Sequence, residues 1–204
     1  MRAPRNGRRK HGWDIAPRTT PEQFAAALRR GVRADGSNLY PAMPYTAYAA
    51  LNDADVHALY AYFMKGVEPV AQENKDSDIP WPLSMRWPLA AWRWMFAPSV
   101  EEHPVQAAAD PVISRGAYLV EGLGHCGACH TPRALTMQEK ALSATDGNAF
   151  LAGSAPLEGW IAKSLRGDHK DGLGSWSEEQ LVQFLKTGRS DRSAVFGGMS
   201  DVVV

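Results

Sequence analysis

The chain has 204 residues, 45% of them hydrophobic and 22% charged, the composition of a folded globular chain rather than a disordered one. Its 22 basic and 22 acidic residues cancel to a formal net charge of zero, which removes any global electrostatic case for nucleic acid as a partner. The only two cysteines lie three positions apart, which excludes a disulfide framework, and no uncharged apolar run approaches the ~18 residues of a spanning helix.

Residues 1–19 read as an irregular basic arm, with Arg2, Arg5, Arg8, Arg9 and Lys10 and no acid in the first ten positions. The arm lacks the apolar stretch of about 7–15 residues that would make an export signal. Residues 20–66 open with a helix-start pattern: Thr20 as N-cap, Pro21 at the first helical position and Gln23 completing a capping box. Phe24, Ala27 and Leu28 form its apolar face and Gly31 is the stop. A Gly- and Pro-punctuated loop containing Met43 follows. A second helix is then capped by Asn52 or Asp53, with Val56, Leu59, Tyr60 and Phe63 inward, and ends near Gly66. Residues 67–110 read as a Pro/Trp-rich linker whose aromatic groups are expected to pack within the chain.

Residues 111–204 begin with a helix from Asp110-Pro111 to about Gly122, with Ile113, Ala117, Leu119 and Val120 inward. Cys126-Gly127-Ala128-Cys129-His130 comes directly after it. A long glycine-rich loop leads to a last helix, capped by Ser177 with Gln180, carrying Leu181, Phe184 and Leu185 inward and stopped by Gly188. The cap, box partner, apolar pair and terminal glycine of this helix match those of the Thr20 helix. Each copy is followed about a dozen residues later by a loop methionine, Met43 or Met199, so the chain reads as an internal duplication.

Cys-x-x-Cys-His places two thiols one helical turn apart with an imidazole directly after them. The thiols can add to two vinyl groups and the imidazole can reach an iron, which is the attachment pattern of a c-type haem. A thioredoxin-type redox pair would want a βαβ context, and a zinc site a second ligand pair; the sequence offers neither. Cys126, Cys129 and His130 are therefore the expected attachment points and proximal ligand of one covalent haem c. Met199 is the expected second iron ligand, with His125 and His169 as alternatives, while Met137 sits too close to the motif to reach the far face. The Pro132 carbonyl is expected to accept the second ring N–H of His130, and Arg133 to pair with a haem propionate.

Residues 116–133, Gly-Ala-Tyr-Leu-Val-Glu-Gly-Leu-Gly-His-Cys-Gly-Ala-Cys-His-Thr-Pro-Arg, resemble the second haem domain of the cytochrome c subunits of membrane-bound alcohol, aldehyde and gluconate dehydrogenases. Residues 172–181, 185–189 and 197–203 share the resemblance, and residues 31–45 are similar to the end of that family's first haem domain. The resemblance implies an all-α, class I cytochrome c-like fold, with a partial first domain and a nearly complete second domain that lacks its last helix. It implies His130 and Met199 as the axial pair. It further implies an electron-transfer subunit rather than an enzyme in itself. Such a subunit takes electrons from a quinoprotein, flavoprotein or molybdenum dehydrogenase subunit and passes them to ubiquinone or another acceptor at the periplasmic surface of the inner membrane. The first domain has its methionine loop at Met43 but no Cys-x-x-Cys-His, so the expectation is a chain truncated at both ends. The rival readings are an apoprotein without function and a thiol or metal-binding module built on the cysteine pair.

Overall fold

The computed structural model describes residues 19–68, 70, 78–100, 108–156 and 159–203. The chain divides into two compact units, Met1–Pro104 and Val105–Val204. Among the described residues the regular structure is helical, with only isolated β-bridges, as the all-α reading expects. No helix of the described residues is long and apolar enough to cross a membrane.

In the first unit, α1 spans Pro21–Arg30. Thr20 Oγ1 accepts the Gln23 N–H while the Gln23 side chain accepts the Thr20 N–H, so the helix start is closed in both directions. Gly31 ends it at φ 63°, and the Val32 N–H reaches back to Ala26 O at 3.2 Å. A Cβ at Gly31 would stand 2.7 Å from the ring of Tyr45, so the close approach of ring to backbone requires glycine there. The short helix α2, Tyr45–Tyr48, delivers Tyr45, Thr46 and Ala47 to the core. Helix α3, Asp53–Ala61, is capped by Asn52 and continues as a π-helical turn, Tyr62–Gly66. It packs on α1 through Phe24 against Tyr60 and Phe63, and the Tyr60 hydroxyl donates to Thr19 O at 2.9 Å. Arg29 donates to Asp53 at 2.8 Å and to Leu51 O, locking the start of α3 to the end of α1.

Part of the segment expected as a linker is instead a helix of the first unit, α4, Pro88–Phe96. Pro88 sits at its first position, where a missing N–H costs nothing, so the proline opens the element rather than breaking it. Trp92 meets the Tyr45 ring edge-on at 6.3 Å, Arg86 lies over Tyr40 and donates to Asn38 O at 3.0 Å, and Arg93 donates to Arg30 O at 3.2 Å. The aromatic packing expected of this stretch holds for Trp92. Trp81, Trp87 and Trp94 are exposed.

In the second unit, α5 spans Pro111–Tyr118, capped by Asp110, and continues as a π-helical turn, Leu119–Leu123. Ile113 and Leu119, expected inward, are exposed. The motif forms α6, Gly127–His130. Helix α7, Glu178–Thr187, repeats the construction of α1: Ser177 and Gln180 close a capping box and Gly188 ends the helix at φ 69°. The duplication extends past the helix. The Arg33 N–H donates to Ser37 O and the Leu39 N–H to Gly31 O in one copy; the Ser190 N–H donates to Ser193 O and the Val195 N–H to Gly188 O in the other. Leu185 nevertheless stands half exposed on α7, where an inward position was expected.

Candidate functional site

Cys126, Cys129 and His130 share the single helical turn of α6, which starts as soon as α5 and its π-turn end. The junction is tight: the Gly124 N–H donates to Leu119 O, the His125 N–H to Gly122 O and the Cys126 N–H to Val120 O. His125 takes φ 38° to make the turn, and burial pushes its imidazole below the usual histidine range, so it is neutral at pH 7. Both cysteines are free thiols, Cys129 exposed and Cys126 partly covered. Burial raises Cys126 above the ordinary thiol range, so its sulfur keeps its proton at neutral pH.

His130 is held at two points. Its backbone carbonyl accepts the Gly153 N–H at 2.8 Å, and its Nδ1 lies 2.7 Å from Lys163 O. A carbonyl only accepts, so Nδ1 carries the proton and Nε2 is left with a lone pair. The supporting frame is a pair of facing strand-like segments. Ser154 N–H donates to Ala162 O at 3.0 Å, and Leu165 N–H to Leu151 O at 2.9 Å. Gly153 lies between them at φ 91°, where a Cβ would stand 3.1 Å from Ala162 O and from Ser164 N, so only glycine fits. Thr131, fully buried, accepts the Leu151 N–H at 3.0 Å and fixes the same frame to the end of α6. Arg166 donates to Phe150 O at 3.0 Å from the other side.

The expectation for Pro132 is corrected here. Pro132 O does not meet the His130 ring. It accepts the Lys140 N–H at 2.9 Å, because residues 132–140 fold back on themselves as a small hairpin-like loop, and Lys163 takes the imidazole instead. Arg133 already has partners within the chain. Its guanidinium turns into that loop, donating to Met137 O at 2.6 Å and Ala128 O at 2.8 Å, and lies 3.5 Å from Glu139. Glu139 is buried, which lifts its carboxyl above the usual range more than Arg133 lowers it. Met137 stands at the tip of the loop at φ 67°, exposed.

Met199 lies in a 3₁₀ turn, Gly197–Asp201. The turn is braced by Trp160, whose ring stacks on Phe196 with centroids 5.8 Å and planes 9° apart. A Cβ on Gly197 would come within 2.7 Å of the Trp160 ring. One short segment, residues 160–164, thus supports both the Met199 turn, through Trp160, and His130, through the Lys163 carbonyl. Met43 occupies a tight turn of the first unit, where its backbone N–H donates to Tyr40 O. His169 is exposed on a separate loop, and among the described residues no three His, Cys, Asp or Glu side chains gather as a metal cluster. The donor set that does converge is two free thiols one turn apart and an imidazole with Nε2 free. That chemistry fits a porphyrin held by two thioether bonds and a histidine.

No protein-family model matches the chain. Over 183 residues, 89% of its length, it is 64% identical to the gluconate 2-dehydrogenase cytochrome c subunit of Pantoea cypripedii, covering 42% of that protein. Over 184 residues, 90% of its length, it is 58% identical to the cytochrome c subunit of the quinone alcohol dehydrogenase of Gluconobacter oxydans, covering 38% of it. Over about nine-tenths of its length the chain is thus similar to dehydrogenase cytochrome c subunits. It spans about two-fifths of the length of these curated relatives. It is also 33% identical over 194 residues to a diheme cytochrome c-type protein of Cereibacter sphaeroides, of which it covers 59%. These relatives are, by name, the cytochrome c subunits of dehydrogenases. The thiol–thiol–imidazole set lies within five consecutive residues, 126–130. Sequence reasoning missed the roles of Thr131 and Lys163 in holding this set; Trp160 is the kind of residue expected as pocket wall or core, and Gly153 left a trace only as one glycine among many in the long loop.

Proposed function

We propose that this chain carries one haem c, attached through Cys126 and Cys129, and serves as the electron-transfer part of a dehydrogenase cytochrome subunit. In forming each thioether, a cysteine sulfur bonds to one vinyl carbon and the thiol hydrogen ends on the other, with no electron gained or lost. The observation that carries the reading is the 2.7 Å contact between His130 Nδ1 and Lys163 O, which leaves Nε2 as a preset iron ligand. Met199 would supply a second iron ligand; a thioether would favour the reduced iron and raise the potential. The bound haem supplies reversible one-electron chemistry. The protein's own work is to fix the His130 tautomer, to hold the Met199 turn through Trp160, and to offer apolar side chains such as Ile161, Leu185 and Phe196 to the porphyrin.

The partner under this reading is a dehydrogenase catalytic subunit, the eventual acceptor ubiquinone, and the location the periplasmic surface of the inner membrane. Support for the partner comes from the relatives, which are named as subunits of gluconate and alcohol dehydrogenases. To test the reading, the chain is exported behind an added signal peptide with the haem-attachment machinery present, and the product is extracted with acid and acetone. Retained haem, lost in a Cys126→Ala, Cys129→Ala double variant, is the expected result. Haem that extracts completely would refute it.

A further inference from the structure

We propose that the outward face of α4, with the cleft beside it, seats this chain on the surface of an anionic phospholipid bilayer. The inward side of α4 is accounted for: Trp92 packs on Tyr45 and Phe96, and Arg93 donates to Arg30 O. The other side presents Trp87, Ala90, Ala91, Trp94 and Met95, spaced i, i+3, i+4, i+7 and i+8, which is one continuous helical stripe. All five are exposed, Trp87 at 74% and Trp94 at 85%. A surface helix turns polar residues to water, and this stripe holds none. Trp81 at 79% and Leu83 at 67% extend the same character into the preceding turn. Exposed apolar area this concentrated marks an interaction surface.

Charge decides the occupant. Between Asp78 and Glu101 the chain has no acid and two arginines, Arg86 and Arg93. A cleft of about 370 Å³ is lined by Arg30, Arg93, Trp94 and Ser99. The Arg30 side chain is exposed and meets no acceptor among the described residues. Two guanidinium groups beside an indole suit a phosphate ester, since the planar fork matches its oxygens. Tryptophan rings favour the head-group depth of a bilayer, and a helix with an aromatic face and arginines lies in that plane rather than crossing it. A protein hot spot would also use Trp and Arg, but an acid-free segment beside a cleft with two arginines, Arg30 and Arg93, matches the negative potential of anionic lipid.

The proposal names the contact element for the membrane location offered above and shares only that location with the haem reading. It is tested with the full chain and vesicles of phosphatidylcholine, alone or mixed with phosphatidylglycerol. The chain sediments with the anionic vesicles, less so at high salt, and lipids brominated near the head group quench its tryptophan fluorescence. Replacing both Trp87 and Trp94 with serine weakens partitioning by at least about tenfold. Arg30→Gln weakens binding to anionic vesicles about fivefold and leaves neutral vesicles unaffected. Should the double variant misfold, Ala90→Glu places a charge in the exposed stripe without touching the core and weakens binding in the same direction. The proposal is overturned if anionic vesicles do not bind the chain, or if binding is unchanged in the stripe variants, as the basic arm of residues 1–19 would produce. It is equally overturned if the stripe variants lose only a protein partner. Haem content is read separately by absorbance, so failure here leaves the haem reading standing, and the reverse.

Discussion

Gly197→Ala is expected to loosen the Met199 turn while the neighbouring Gly198→Ala leaves it intact. Gly197 has φ 55°, and the left-handed region costs a residue with a Cβ about 1–2 kcal/mol. The new Cβ would also lie 2.7 and 2.8 Å from two carbons of the Trp160 ring, closer than any carbon pair tolerates. Trp160 is half exposed and gives way, which forfeits the parallel stack on Phe196, worth about 0.5–1.5 kcal/mol. Together these shift the equilibrium of the turn by about 1.5–3.5 kcal/mol, or roughly 13- to 370-fold. Gly198 has nothing within 4 Å of the same position and no positive φ, so it controls for the loss of a glycine as such. The assay is competition by free imidazole for the iron face proposed for Met199 in the haem-loaded chain. Apparent imidazole affinity rises at least about tenfold in Gly197→Ala and stays put in Gly198→Ala. Equal behaviour of the two variants would refute the role of Trp160 as the brace of the Met199 turn.

Thr131→Val keeps the shape of a fully buried side chain but removes the acceptor of the Leu151 N–H. It therefore costs about 1–3 kcal/mol in denaturant unfolding, and an unchanged midpoint would contradict the frame built on that bond. Tyr45→Phe should be neutral or stabilising in thermal melts. The buried hydroxyl has no partner among the described residues and burial pushes its pKa up to about 12, so a clear loss of stability would show a missed acceptor. Glu139 is raised in the folded chain, so the fold binds more protons than the unfolded chain just above the ordinary carboxylate pKa. Its contribution to stability is fully present below that value and is lost as pH rises through the folded pKa. Glu139→Gln removes that slope and matches or exceeds the parent at neutral pH; a variant weaker at neutral pH with the slope retained would show that the Arg133 pair outweighs burial.

Helix ends were legible because their chemistry is local. Thr20 with Gln23 and Ser177 with Gln180 announce the starts of α1 and α7, and Gly31 and Gly188 their ends, at positions the structure repeats. The cysteine–histidine motif was legible for the same reason: five consecutive residues carry it. Helix α4 was hidden because Pro82, Pro88 and Pro98 read as breakers, whereas Pro88 occupies the one helical position that suits it. The partner of His130 was hidden because a backbone carbonyl has no side-chain signature, and Lys163 lies 33 residues away. The inward turn of Arg133 depends on residues 132–140 closing as a loop, a pairing that no periodicity in so short a stretch reveals. Ile113 and Leu185 obeyed the helical period yet lie exposed, since periodicity marks an apolar face without saying what covers it.

The intact mass of the exported, denatured chain tests the central claim most directly. The account predicts the polypeptide mass plus one haem, returning to the bare polypeptide when both Cys126 and Cys129 are replaced by alanine. A bare polypeptide mass from the parent chain, or haem that persists without the two cysteines, would contradict it.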